Sequence, residues 1–314
     1  MDPQDWPGEC TYDQCNPEPT YPEPTYSELS YWAYNPSLAA NWIFCILFGL
    51  STVAFLTQGI FRKGWLSFTI AMTAGCVLEV VGYIGRIMAH NGQYKETPFL
   101  IQIVCLTIAP AFFAAGIYLC LSRIILAFGA DISRIKPLSY PRIFIPCDIV
   151  SLLLQATGGG IASVKTHNDD DPKTGNDIML AGLAVQVFTL LVFILLAVDF
   201  AFRTTRRVCR HGASSALDPA YSKLRKLKMF KGFLVALTFS TLCVFTRCVF
   251  RVAELSDGWG GYLMKTQRYF IGLEGAIIIA AVLALNMFHP GFCFGKATGV
   301  TTKHESPMKG VDGV

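Results

Sequence analysis

Two stretches of this chain place opposite charges inside otherwise apolar runs. Glu79 and Arg86 are the only charged residues between Trp65 and Ala89. Seven residues apart on a helix is two turns, so both side chains share one face, with the Tyr83 phenol between them. A second run, from Phe230 to Ala253, carries Arg247 and Arg251 and is followed by Glu254, and a third carries Glu274. Three carboxylates (Glu79, Glu254, Glu274) stand against three guanidinium groups (Arg86, Arg247, Arg251), and buried charges require such a balance of sign. Chemically the set suits a polar head group, with the arginines matched to phosphate and the acids to ammonium. Intramembrane charges face a bundle interior or a water-filled cavity, so the functional reading is an amphiphile site. The plainer alternative is that the pairs only fix helix register. Arg86 and Glu254 also fit an interfacial role, with their charged ends snorkelling to the membrane surface.

A second polar group is predicted lower down. Asp148 and Gln155 are again seven apart on one face, with Asp148 near the cytoplasmic end of its span. Gln186 lies mid-span and Asp199 at the inner end of the next run. Asp148 and Asp199 could receive a cationic head group or relay protons, although Arg203, one turn on, is the natural partner of Asp199. Pro110, with Ala111 and the small residues Ala114 to Gly116, reads as a kinked, closely packed helix and is assigned no chemistry.

The elements that position these residues are transmembrane helices. Only 15% of the 314 residues are charged and mean hydropathy is +0.44, against about 25% charged in an average soluble chain. Seven runs reach the roughly 20 residues needed to cross a hydrocarbon core, at 41–61, 66–89, 98–121, 143–164, 178–202, 230–253 and 269–289. The fold class is therefore all-α, a polytopic seven-helix membrane protein.

Basic residues collect in alternate connections. Arg62 and Lys63 fill the first, Arg123, Arg134, Lys136 and Arg142 the third, and the fifth is dense from Arg203 to Lys231. Residues 1–35 have no Lys or Arg, and the fourth connection carries Asp169 to Asp171. The positive-inside rule then places the N-terminus outside and the C-terminus inside. The fifth loop needs no nucleic-acid partner, since topology and an anionic cytoplasmic leaflet account for it.

The predicted organisation is an extracytoplasmic tail over 1–35, a membrane domain over 36–292 and a cytoplasmic tail over 293–314. The first tail repeats Pro-Glu-Pro-Thr-Tyr at 17–21 and 22–26, an extended disordered composition without a core. It shows no cleavable signal peptide pattern. Its Cys10 and Cys15 either pair, if they face an oxidising side, or stay as free thiols.

Enzyme chemistry finds no footing. The stretch Gly158 to Lys165 lacks the Gly-Lys-Ser/Thr ending of a phosphate-binding loop. The histidines have no one-turn spacing for zinc, and no Gly-x-Ser-x-Gly nucleophile motif occurs. No cofactor or metal is expected. The third span ends Tyr118 to Arg123 and the seventh Asn286 to Pro290, so neither carries the signature of a rhodopsin-type receptor.

Several motifs, in this order, resemble those of the fungal lipid-translocating exporters, the RTA-like proteins linked to aminocholesterol resistance. They are Tyr34 to Ser37, Glu79 to Arg86, Leu106 to Tyr118, Asp148 to Gly160, Gly182 to Gln186, Arg247 to Glu254 and His289 to Gly291. The resemblance spans roughly residues 34–290. It implies a seven-span fungal protein of the plasma membrane that moves, or protects against, sphingoid bases, phospholipids, sterol-like drugs or porphyrins. It also implies that the Glu/Arg, Asp/Gln and Arg/Glu motifs are signature polar residues. Where such proteins often carry a His-Glu pair before the seventh span, this chain has Thr266, Gln267 and Arg268, so a role for that pair does not transfer.

The function expected from residues and resemblance together is translocation or export of amphiphilic lipids, with membrane lipids and amphiphilic small molecules as partners. The alternative is a seven-helix sensor of lipid asymmetry that signals through its basic loop.

Overall fold

The computed structural model describes residues 36–90, 96–168, 171–211, 217, 221–256 and 262–294. The tail expected over 1–35, with Cys10 and Cys15, lies outside the described residues, as does 295–314. Seven helices are long and apolar enough to cross a membrane. They are α1 (Leu38–Phe61), α2 (Leu66–His90), α3 (Glu96–Phe128), α4 (Ser139–His167), α5 (Lys173–His211), α6 (Lys228–Ser256) and α7. The last is composite: Gln267–Tyr269 leads into a π-helical segment, Phe270–Ala276, and then into Ile277–Met287. A short helix, Pro290–Cys293, follows.

The helices bury aromatic rings together with charged and amide side chains, and leave many other large apolar side chains outside. On α1 the buried positions are Asn41, Phe44, Phe48, Ser51, Phe55 and Gly59, at spacings of three or four. Trp42, Ile43, Ile46, Leu50, Val53 and Ile60 face outward. That arrangement suits lipid, which solvates leucine as well as a protein core does and leaves polar groups to pair inside. The protein is an integral membrane protein.

Helices meet where side chains are small. A Cβ on Gly158 of α4 would lie 2.4 Å from the Met179 amide nitrogen of α5, and one on Gly175 would lie 2.4 Å from that of Ala162. Gly75 and Gly82 of α2 give the same close approach to Phe113 and Leu106 of α3. After α3 the chain turns through Gly129 at φ 131°, a conformation that favours glycine.

Several helices run past the predicted spans. The fourth begins at Ser139, four residues before the predicted start, so Asp148 lies about 14 Å along it rather than near its end.

Candidate functional site

The site is built around Arg247, which is wholly buried on α6. Its Nη2 donates to Glu274 Oε1 of α7 at 2.8 Å and lies 3.7 Å from Glu79 Oε1 of α2. Two carboxylates therefore share one guanidinium. The same nitrogen donates to the Leu106 carbonyl of α3. That carbonyl is available because Pro110, four residues on, has no N–H to close the helical hydrogen bond. Pro110, read from sequence as architecture alone, thus supplies the fourth wall of the charged site. The signal that could have found it is the Leu106–Pro110 spacing itself.

Glu274 stands in the π-helical segment, a geometry that recurs at functional sites. Next to it, Gly275 leaves room for its neighbours. A Cβ there would come within 2.6 Å of the Phe44 ring and 2.8 Å of the Tyr83 hydroxyl. Tyr83 stacks on Phe48, with centroids 5.8 Å apart, and closes the site on the α1 side.

The remaining charges flank this triad on the side where α1 begins. Arg251 donates to Glu254 at 2.7 Å and to Thr107 Oγ1 at 3.2 Å. Arg86 donates to Asn41 Oδ1 at 3.2 Å and lies over the Phe270 ring at 3.7 Å. Arg86 is 1% exposed and Glu254 3%, so neither snorkels to the surface. The six predicted charges come together, as one triad with two flanking groups.

The lower polar group divides. Asp148 accepts a hydrogen bond from the Tyr118 hydroxyl at 3.0 Å, whereas Gln155 donates to Gln186 at 3.0 Å. Asp148 and Gln155 share a helix face but have separate partners, on α3 and α5. Asp199 pairs with Arg203 at 2.8 Å, as its spacing predicts, and also with Arg134 at 2.9 Å. It lies on the exposed surface, away from both polar groups.

Many buried atoms in the triad have no hydrogen-bond partner. They include both Glu79 carboxylate oxygens, Glu274 Oε2, the Tyr83 hydroxyl, and Nε and Nη1 of Arg247. Each buried group left unpaired costs about 1–3 kcal/mol. The triad is thus poised to accept donors and acceptors from elsewhere. A lateral groove of about 630 Å³ lies between α1 and α2, lined by Leu56, Ile60, Leu66, Thr69, Ile70 and Thr73. Among the described residues, no group of three or more His, Cys, Asp or Glu side chains is arranged to hold a metal ion.

The sequence profile described as RTA1 like protein matches residues 72–297, which include every charged residue of the triad and its flanks. The chain belongs to the RTA1-like family. Within it, the yeast Saccharomyces cerevisiae sphingoid long-chain base transporter RSB1 is 35% identical over 296 residues, covering 87% of this chain and 77% of that protein. Protoporphyrin uptake protein 1 of the same yeast is 28% identical over 301 residues, covering 85% of this chain and 93% of that protein. Protein RTM1, also from this yeast, is 29% identical over 238 residues, covering 76% and 71%. No solved structure matches the chain. Of these relatives, RSB1 is named for transport of sphingoid long-chain bases and protoporphyrin uptake protein 1 for uptake of protoporphyrin.

Proposed function

We propose that this RTA1-like protein translocates cationic or zwitterionic amphiphiles across the membrane, with long-chain bases as the favoured class. One observation carries the reading: Glu79 is fully buried, its carboxylate has no hydrogen-bond donor, and it shares a single guanidinium with Glu274. An ammonium head group would supply a second positive charge and the donors that the Glu79 oxygens and Glu274 Oε2 lack. A phosphate-bearing head group would instead use the open Nε and Nη1 positions of Arg247. The alkyl chain would lie in the groove between α1 and α2 once the helices part, since Thr69 and Thr73 of its lining precede Glu79 on the same helix. The yeast long-chain base transporter among its relatives supports this choice of substrate class. The expected setting is a fungal plasma membrane, with the N-terminus outside.

The triad is sealed in this conformation, so passage needs the helices to part. The unpaired atoms lower the penalty for that opening, because a closed state with unsatisfied groups gives up less on exposure. The sealed state also favours a second reading, a sensor that binds lipid without passing it.

The test is flip of a fluorescent long-chain base and a fluorescent phospholipid in vesicles containing the purified chain. Transport that Glu79→Gln abolishes is the expected result. Saturable binding with no flip would turn the reading to the sensor. Full flip in Glu79→Gln would remove the triad from the mechanism.

A further inference from the structure

Among the described residues, Asp148 is the one buried acid without a basic partner. It is 3% exposed, and its Oδ1 has no hydrogen-bond partner while Oδ2 accepts from Tyr118. The six charges of the triad and its flanks already cancel, three against three. An ionised Asp148 would add an uncompensated negative charge inside the bundle. Desolvation strongly disfavours such a charge, so a lone buried acid takes up a cation or stays neutral. The groups that face it are few. Tyr118 comes from α3 and Cys248 from α6. On the α5 side the Tyr118 ring is packed on Phe193, with centroids 4.5 Å apart, which offers no charge.

No member of the triad acts on Asp148 directly; Cys248, which follows Arg247 on α6, lies within electrostatic reach of both.

We propose that Asp148 is a proton-carrying site, neutral in this closed conformation, which releases its proton as a cationic amphiphile crosses in the opposite direction. The exchange conserves charge, because one proton leaves the carboxylic acid for each ammonium group that enters. It rests on the translocator reading, and it adds an energy source that the missing phosphate-binding loop leaves open. Tyr118 holds the acid in place through its donated hydrogen bond.

Two measurements test it on the full chain. In lipid vesicles, the infrared difference between wild type and Asp148→Asn should contain the carbonyl stretch of a protonated carboxylic acid at neutral pH. A carboxylate signature in its place overturns the proposal. If Asp148→Asn does not fold, Tyr118→Phe serves instead, since loss of the hydroxyl donor should shift the same band, and an unmoved band overturns the assignment. In the second measurement, vesicles with an imposed pH gradient should accumulate a fluorescent long-chain base several-fold. Asp148→Asn should bind the amine and equilibrate it without accumulation. Equal accumulation in the variant overturns the coupling role. A wild-type chain that moves no amphiphile sinks the translocator reading and the exchange with it, while the infrared band still reports whether the acid is protonated.

Discussion

Glu79 and Glu274 are both wholly buried beside the same guanidinium, yet they are not equivalent. Glu274 is hydrogen-bonded to Arg247 at 2.8 Å, whereas Glu79 stands off at 3.7 Å. Removing one partner of a buried, hydrogen-bonded pair costs about 3–5 kcal/mol. Glu274→Gln should therefore lower the thermal unfolding midpoint of the purified chain clearly. Glu79→Gln leaves that pair intact and should cost about 1 kcal/mol or less, while removing the site for an ammonium group. Stability and transport are thus expected to separate: Glu79→Gln stable and inactive, Glu274→Gln destabilised. An equal loss of stability in the two variants would mean that both acids serve only to hold Arg247.

At the scale of elements, α4 and α5 are held together by glycine. The triplet Gly158 to Gly160 looks uniform in sequence but not in space. A Cβ at Gly158 meets the rigid backbone of Met179, whereas one at Gly160 meets nothing within 4 Å. Gly158→Ala should cost about 1–3 kcal/mol, as overpacking against backbone does. Gly160→Ala should be neutral, or stabilising by up to about 1 kcal/mol through helix propensity. Thermal unfolding of the two variants side by side checks this, and matching midpoints would contradict the close packing. The α3 element shows a related economy of design: Pro110 leaves its helix continuous but hands the Leu106 carbonyl to Arg247.

For the molecule as a whole, the outward faces are apolar and the charges lie within, so orientation is set by the connections. In the orientation proposed from the basic loops, the exposed Cys209, near the end of α5, lies on the cytoplasmic side. In a chain with Cys10 and Cys15 replaced by serine, a membrane-impermeant maleimide should label Cys209 only after the cells are permeabilised. Labelling of intact cells would reverse the proposed orientation, and with it the direction in which the groove between α1 and α2 opens.

The number of membrane helices and the charged residues that meet inside them were legible in the sequence, because a bilayer turns each spanning helix into a long apolar run and makes any charge within it conspicuous. Helical spacing also put Glu79, Tyr83 and Arg86 on one face, and it paired Asp199 with Arg203. The partner of each charge was not legible. Arg247 could have met either acid at similar depth, and only the packing of α2, α6 and α7 gives it Glu274 as hydrogen-bond partner with Glu79 held apart. The same packing separates Asp148 from Gln155, buries Arg86 and Glu254, and turns a proline-freed carbonyl into a ligand for arginine. These choices depend on how helices far apart in the chain rotate and approach one another, and the period of a single helix carries no record of that.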